Sequence, residues 1–193
     1  MPSRLRAIVA AFEPFGGRRR NRAWDAVAGL ADERGVERIS LPVDFAALTS
    51  VLPALIERAP EVLLLVGEAG WTRHLSVERV ALNVAHARIP DNRGAKPRLA
   101  EIVPGAPLAL PARWDAERVL DAAIEAAPTL ISHHAGTFAC NASFYLALHA
   151  APVAMSVGFL HVPALPWPLA PGTSRLTAAV RAVVLTMLAA HAN

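Results

Sequence analysis

The chain has 193 residues, of which 54% are hydrophobic and 18% are charged. This composition excludes intrinsic disorder as the main state, because disordered chains combine low hydrophobicity with high charge. A chain of this length ordinarily forms one domain, so we expect a single domain over residues 1–193. The net charge is +3, from 19 basic residues of which only Lys96 is lysine, and this excess is weak evidence for nucleic-acid binding. The one basic run, Arg18 to Arg20 with Arg22, has no interleaved aromatic residues and favours a solvated loop.

Cysteine usage and apolar patterning bear on the compartment. Cys140 is the only cysteine, so neither an intramolecular disulfide nor a multi-cysteine zinc site can form. This usage fits a reducing compartment, and we expect a cytoplasmic protein. The first apolar run, residues 8–12, is too short for a signal peptide. The most apolar stretch, residues 150–171, is broken by His161 and several prolines, so no membrane span is predicted.

The predicted elements alternate between strands and helices along the chain. Such alternation is typical of an α/β protein, here a single-domain three-layer sandwich with helices on both faces of a twisted, mostly parallel sheet. In chain order we predict a strand over 5–12, a helix over 24–30, a strand over 38–43, a helix over 45–59 interrupted at Pro53, a strand over 61–67, an extended segment over 75–85, a long loop over 90–107, a helix over 114–127, a strand over 130–132, a helix over 140–149, a strand over 153–161 and a helix over 174–191.

Residues that could take part in binding or catalysis follow four of the predicted strands. They are residues 13–17, 67–70 and 136–140, and His161. Ligands of parallel sheets collect at the carboxyl ends of the strands, so the candidate site lies at that edge. The sequence has no Gly-x-Gly-x-x-Gly motif and no phosphate-loop motif.

Cys140 is a candidate nucleophile. By residue type alone, a lone cysteine in an apolar chain is ordinarily a small buried core residue. Here, however, Cys140 follows the turn at residues 135–139 and begins a predicted helix. Unpaired backbone amides and the helix dipole at that position favour the reactive thiolate.

A thiolate hydrolase also needs a group that protonates the leaving amine, and histidine suits this task near neutral pH. Of the seven histidines, His161 ends an apolar strand, so its ring should project at the carboxyl edge of the sheet. A structural role is still the favoured interpretation of His161 taken alone. His133 and His134 lie closer to Cys140 in sequence and are rivals, although adjacent strand residues point to opposite faces.

A carboxylate or amide that orients the imidazole is the third requirement. Glu78 is the unusual acid, because it lies in a mainly apolar extended segment. Its carboxylate either pairs with Arg79 or another neighbour, or is held for a histidine. Spacing alone does not decide between these alternatives.

Eight short motifs occur in order between Ile8 and Pro163. Together they resemble the pyroglutamyl peptidase I family, also called pyrrolidone-carboxylate peptidases, and eight ordered motifs are far more specific than any single one. The motifs are AFEPFGG (11–17) with Asn21, LPVDF (41–45), VGEAG (66–70), SVER (76–79), ARIPDN (87–92), IVPGAP (102–107), AGTFACN (135–141) and GFLHVP (158–163).

The resemblance implies a cysteine peptidase that removes N-terminal pyroglutamyl residues from peptides and needs no metal or cofactor. The family's nucleophile falls on Cys140, its base on His161 and its orienting carboxylate on Glu78. The family's arginine near the nucleophile falls on Arg88, which we expect to stabilise the oxyanion together with the backbone amide of Cys140. Oligomers are common in the family, so a homo-oligomer, a dimer or tetramer, is expected.

The resemblance also implies a pocket for pyroglutamate, an uncharged five-membered lactam. A selective pocket should offer flat apolar walls and one or two hydrogen bonds to the amide. The family's two wall phenylalanines fall on Phe12 and Phe15, for which core packing is the alternative interpretation. Further lining positions fall on Val43, Ile89, Phe138 and Ala139.

Three positions near this pocket bear on specificity. Asn21 matches a family residue that fixes the first loop. Glu68 stands where relatives often have a glutamine that contacts the lactam through its backbone, and an acid there adds charge beside the pocket. Residues 71–72 make the following loop bulkier. A relative that binds a lactam or a peptide end without cutting it is therefore the alternative function, favoured by Glu68 and this loop and opposed by the presence of all three triad positions.

Overall fold

The computed structural model describes residues 5–30 and 33–191, and the elements below belong to these ranges. The strands are β1 (Ala7–Phe12), β2 (Val36–Leu41), β3 (Val62–Ala69), β4 (Leu75–Glu78), β5 (Val80–Leu82), β6 (Ala109–Pro111), β7 (Thr129–Ser132) and β8 (Ser156–Pro163). The helices are α1 (Arg22–Ala28), α2 (Phe45–Glu57), α3 (Ala116–Ile124), α4 (Ala139–Ala150) and α5 (Thr173–Ala189).

The main sheet has six strands in the order β2-β1-β3-β8-β4-β7. Strands β2, β1, β3 and β8 run parallel to one another. Strand β4 is antiparallel to β8, and β7 is parallel to β4. Strands β5 and β6 form a separate antiparallel ribbon. The prediction of a mostly parallel sheet is confirmed, with a reversed pair of strands at one side.

Alternating side chains of the central strands build one core on each face of the sheet. On one face, Val9 and Leu64 pack with apolar residues of α1, α3 and α5. On the other face, Ile8 and Leu63 pack with apolar residues of α2 and α4. Because both faces are covered, the central strands are apolar throughout. The predicted three-layer α/β arrangement is confirmed.

Two predicted elements differ from the observed ones. The extended segment at 75–85 is two strands, because the chain leaves the main sheet at Arg79 and pairs with β6 instead. The predicted interruption at Pro53 is wrong, since α2 continues through it. A proline in a helix removes the hydrogen bond to the carbonyl four residues earlier. That carbonyl belongs to Thr49, an exposed residue on the solvent side of the helix.

The sheet topology brings several loops to one edge. The carboxyl ends of β1, β3 and β8 lie there and lead into residues 13–21, 70–74 and 164–172. Strand β4 enters the sheet from the same edge, because it runs opposite to β8. Within the described residues, no helix is both long and apolar enough to span a membrane.

Candidate active site

The centre of the site is a buried pair between His161 and Glu78. In the antiparallel pairing of β4 with β8, Ser76 lies opposite His161 and Glu78 lies opposite Phe159. Glu78 is two residues from Ser76, so its side chain is on the same face of the sheet as that of His161. The side chains of Glu78 and His161 are therefore diagonal neighbours across the two strands. His161 Nδ1 lies 2.7 Å from Glu78 Oε1. The partner of Glu78 is therefore the histidine rather than Arg79.

Cys140 is the second residue of α4 and is half-buried. The helix begins after Phe138, whose side chain provides no hydrogen bond to the first turn. A Cβ atom on Gly67 would lie 2.8 Å from Cys140 Sγ and 2.8 Å from the nearest ring carbon of Phe159. Only glycine allows this close approach of the sulfur to β3. Gly67 is also the register partner of His161 on β8, so the sulfur lies over the sheet beside the imidazole.

The surroundings of His161 raise its pKa from the ordinary 6.5 to about 10. Burial is the largest single influence and lowers the pKa, because it disfavours the charged ring. Hydrogen bonds to Cys140 and Glu78, and the negative charge of both groups, outweigh burial and raise it. An imidazolium that persists at neutral pH can donate a proton to a departing amine.

Asn141 fixes the start of α4 against β5. Its side-chain Oδ1 accepts a hydrogen bond from the backbone N–H of Leu82 at 2.8 Å. Its Nδ2 donates to the carbonyls of Leu82 and Val84 at 2.8 and 3.0 Å. We did not predict this role, although an amide directly after the candidate nucleophile was a signal for it.

An aromatic cluster lies next to Cys140. The ring centroids of Phe15 and Phe138 are 5.9 Å apart. The ring of Phe45, which we did not predict, lies 5.5 Å from that of Phe138 in an edge-on contact. These three rings provide an apolar surface at the N-terminus of α4.

The remaining predicted lining positions differ in exposure. Phe12, Val43 and Ala139 are buried in the core on the α2 and α4 face, so the packing interpretation of Phe12 describes its position. Ile89 is 44% exposed, and its Cδ1 would lie 3.6 Å from a Cβ on Gly16 in the first loop. Ile89 is thus accessible to a ligand beside that loop.

Polar side chains hold both ends of the first loop. Asn21 Oδ1 caps α1 by accepting a hydrogen bond from Ala23 N–H at 2.9 Å, and its Nδ2 donates to the Glu13 carbonyl at 3.1 Å. The Glu13 carboxylate accepts from Val43 N–H at 3.2 Å and from Asn92 Nδ2 at 2.8 Å. Glu13 and Asn92 were not among the predicted site residues. These bonds place the loop between β1 and the N-terminus of α1.

In the basic run, Arg18 to Arg20 are exposed and Arg22 is half-buried, and most of these arginines pair with protein groups. The Arg18 guanidinium forms an ion pair with Glu68, and Arg20 lies 3.1 Å from Asp25. Arg22 donates to the Pro163 carbonyl at 2.9 Å and to carbonyls of the following loop. These arginines therefore hold the loops at the sheet edge together, in addition to facing solvent.

The predicted oxyanion residue, Arg88, and the two histidines that were alternatives to His161 are exposed. Arg88 is exposed, and no side chain in the described ranges forms an ion pair or hydrogen bond with it. His133 and His134 follow β7 and are exposed, and His134 Nδ1 accepts a hydrogen bond from Gly136 N–H at 3.1 Å. Neither histidine replaces His161 beside Gly67.

Comparisons with known proteins show the family to which this chain belongs. The family model described as pyroglutamyl peptidase matches residues 5–191. The chain belongs to the pyroglutamyl peptidase family. A pyrrolidone-carboxylate peptidase of Thermococcus kodakarensis is 39% identical over 167 residues, which cover 82% of this chain and 81% of the relative. One from Escherichia fergusonii is 37% identical over 205 residues, and the match covers 96% of this chain and 94% of that relative.

Solved structures of pyrrolidone carboxyl peptidases share the fold. The crystal structure of the one from Thermus thermophilus is 37% identical, with a TM-score of 0.86 over 92% of this chain and 98% of that chain. The one from Thermococcus litoralis is 27% identical, with a TM-score of 0.89 over 97% and 94%. The predicted family and α/β fold are confirmed, and these matches favour a pyroglutamyl peptidase over a relative that only binds.

The raised pKa of His161 predicts how the stability of this pyroglutamyl peptidase depends on pH. Because the folded pKa of about 10 exceeds the ordinary 6.5, the contribution of protonated His161 is complete below pH 6.5 and is lost as pH rises to about 10. The Tm advantage of the wild type over His161→Asn should therefore be larger at about pH 6 than at about pH 10.5. Thermal unfolding at both pH values measures this difference. His134→Asn, which changes an exposed histidine, serves as the control, and an advantage that is equal or larger at high pH contradicts the assignment.

Proposed function

We propose that this protein is a cysteine peptidase that removes N-terminal pyroglutamyl residues from peptides. Cys140 is the nucleophile, His161 is the acid and base, and Glu78 orients the imidazole. The observation that supports this most is the row of three groups at one sheet edge. The sulfur lies over Gly67, His161 is the register partner of Gly67, and Glu78 Oε1 lies 2.7 Å from His161 Nδ1.

The reaction begins with attack of the Cys140 thiolate on the exocyclic carbonyl carbon, which joins pyroglutamate to the next residue. A bond forms between Sγ and this carbon, and negative charge moves to the carbonyl oxygen. Backbone amides in the first turn of α4 and the guanidinium of Arg88 stabilise that oxyanion. Arg88 suits this role because it is exposed and has no partner in the described ranges.

His161 carries the proton in both halves of the reaction. The imidazolium donates its proton to the leaving amine as the carbon–nitrogen bond breaks, which leaves a thioester on Cys140. The neutral imidazole then takes a proton from water, and the resulting attack releases pyroglutamate and regenerates the thiolate. Glu78 accepts the Nδ1 hydrogen bond throughout, so the other ring nitrogen faces the reacting atoms.

The pocket for the lactam lies between the first loop and the N-terminus of α4. Apolar walls suit an uncharged ring, and the cluster of Phe15, Phe138 and Phe45 provides such a surface. Glu68 does not add a net charge beside it, because Arg18 pairs with its carboxylate. We propose that Phe15, Phe138 and the exposed Ile89 contact the lactam. The buried residues Phe12, Asn21, Val43 and Ala139 then support this wall from the core, and Glu68 acts only by positioning the first loop.

We further propose that residues 1–193 form one peptidase domain that acts in the cytoplasm as a homo-oligomer, without nucleic acid or membrane as a partner. The family match over residues 5–191 supports one domain. A nucleophilic thiol must remain reduced, which supports a reducing compartment. Exposed aromatic residues such as Trp71 and Trp167 support contact between subunits.

Substrate discrimination tests the proposed function. We expect the enzyme to hydrolyse a pyroglutamyl anilide with kcat/KM at least ~100-fold higher than the matched prolyl and glutaminyl anilides. The prolyl analogue has the same ring size but lacks the ring carbonyl and carries a charge, which an apolar pocket excludes. Release of the aniline chromophore measures all three rates. Binding of the pyroglutamyl compound without turnover would contradict the proposal and support the binding protein.

A further inference from the structure

Glu68 is a buried acid at the edge of the site that the mechanism does not use. Its side chain is only 2% exposed, whereas that of its partner Arg18 is 49% exposed. One carboxylate oxygen accepts a hydrogen bond from Arg22 N–H at 2.8 Å, and the other binds the Arg18 guanidinium. A buried carboxylate is costly unless it is paired and hydrogen-bonded, so Arg18 is required for Glu68 to remain in place.

The position of Glu68 connects this pair to the catalytic row. Glu68 directly follows Gly67, which lies against the Cys140 sulfur. It pairs in register with Val162, the residue after His161. Because neighbouring strand residues face opposite sides, Glu68 faces α1 while Gly67 faces the sulfur. Arg18 therefore pairs with Glu68 at the end of the sheet, on the face opposite to the reacting groups and one residue along β3 from Gly67.

Arg18 is also connected to the pocket wall. Its backbone N–H donates to the Phe15 carbonyl at 3.2 Å, and the Phe15 ring contacts that of Phe138. Gly16 and Gly17, between these residues, have φ of 62° and 76°, a region that favours glycine and gives the loop a tight turn. Fixing Arg18 thus fixes the turn that carries Phe15.

We propose that the Arg18–Glu68 ion pair is a positioning device that holds the Phe15 wall over the lactam pocket. This inference rests on the proposed function, since it assigns the pair a role in binding the same substrate. Neither residue touches the reacting atoms, so both are positioning residues. Losing the pair should weaken substrate binding and leave the chemical step intact.

The kinetic test compares Arg18→Gln with Arg20→Gln, two changes in the same basic run. Among the described residues, Arg20 pairs only with Asp25, at an exposed position where 78% of its side chain is accessible. This matched control should therefore change neither KM nor kcat more than about twofold. Arg18→Gln should raise KM for the pyroglutamyl anilide at least ~5-fold and change kcat less than about twofold, because it leaves Glu68 buried and unpaired.

The double variant makes the test specific to the pair. Adding Glu68→Gln to Arg18→Gln removes the unpaired charge and keeps an oxygen for Arg22 N–H, but it does not restore the pair. The KM should therefore fall below that of Arg18→Gln and stay at least ~3-fold above wild type. Glu68→Gln alone should raise KM less than Arg18→Gln, because the half-exposed Arg18 remains solvated. A double variant with the wild-type KM would show that the unpaired charge, and not the loss of the pair, weakens binding, and would overturn the proposal. Equal KM values for Arg18→Gln and Arg20→Gln would also overturn it.

Limited proteolysis separates this proposal from the proposed function. Each single arginine variant leaves three of the four arginines in the run, so trypsin has equal numbers of sites. Below the Tm of each variant, we expect cleavage in this loop to be at least ~5-fold faster in Arg18→Gln than in Arg20→Gln, and to remain faster than in Arg20→Gln in the double variant. Equal cleavage rates contradict the positioning role. A wild type that resists cleavage as expected but does not turn over the anilide contradicts the peptidase assignment instead.

Discussion

Cys140→Ala is expected to lower kcat/KM for a pyroglutamyl anilide by at least ~10⁴-fold, because the variant cannot form the thioester. The methyl group keeps the Cβ that packs at the start of α4, and the half-buried sulfur contributes little to the core. The Tm should therefore stay within about 5 °C of wild type. Steady-state kinetics and thermal unfolding on the same preparation measure the two effects.

Ser143→Ala is a matched control for Cys140→Ala. It also removes a polar atom from the first turns of α4, where the Ser143 hydroxyl donates to the Cys140 carbonyl at 2.9 Å. Its activity should remain within about threefold of wild type, because no reacting atom is lost. A Cys140→Ala enzyme with more than about one percent of wild-type activity is incompatible with a thiol nucleophile.

Glu78→Gln is expected to lower kcat by ~10²- to 10⁴-fold with little change in the fold. The glutamine amide has nearly the same shape as the carboxylate. Its NH₂ group can, however, donate a hydrogen bond to His161 and so favour the wrong tautomer of the imidazole. The carboxylate also helps to raise the pKa of His161 to about 10. Its removal should therefore move the alkaline limb of the activity profile to lower pH. The pH dependence of kcat measures both effects.

Glu57→Gln is the control for this change, because it makes the same replacement at an exposed position near the end of α2. It should leave kcat and the alkaline limb unchanged. If Glu78→Gln retained wild-type kcat together with an unshifted limb, the carboxylate would not orient His161. A lower kcat with an unchanged alkaline limb of the pH profile would indicate a structural effect rather than an electrostatic one.

Much of the fold could be predicted, because local patterns determine its elements. The apolar run at 61–67 predicts β3, and the apolar stripe at 174–191 predicts α5, since both patterns reflect burial of the residues themselves. The Pro53 prediction failed because packing of α2 against α4 and the sheet overrides a local preference. The reversed direction of β4 depends on strand pairing, which no short pattern encodes.

The candidate site could be predicted only in part. Cys140, Glu78 and His161 were candidates from residue type, neighbouring pattern and family resemblance. The pairing of Glu78 with His161 depends on strand register across 83 positions, and the Arg18–Glu68 pair spans 50 positions. Contacts of this kind are set by the tertiary structure, so spacing along the chain left them open.

The most direct test of a single catalytic thiol is alkylation, because Cys140 is the only cysteine. Partial treatment with iodoacetamide gives samples whose labelled fraction intact mass spectrometry measures without peptide mapping. We predict that activity on the pyroglutamyl anilide falls in direct proportion to the labelled fraction and reaches zero at one label per chain, and that free pyroglutamate slows labelling while proline does not. A fully labelled protein that still releases pyroglutamate would contradict the catalytic role of Cys140.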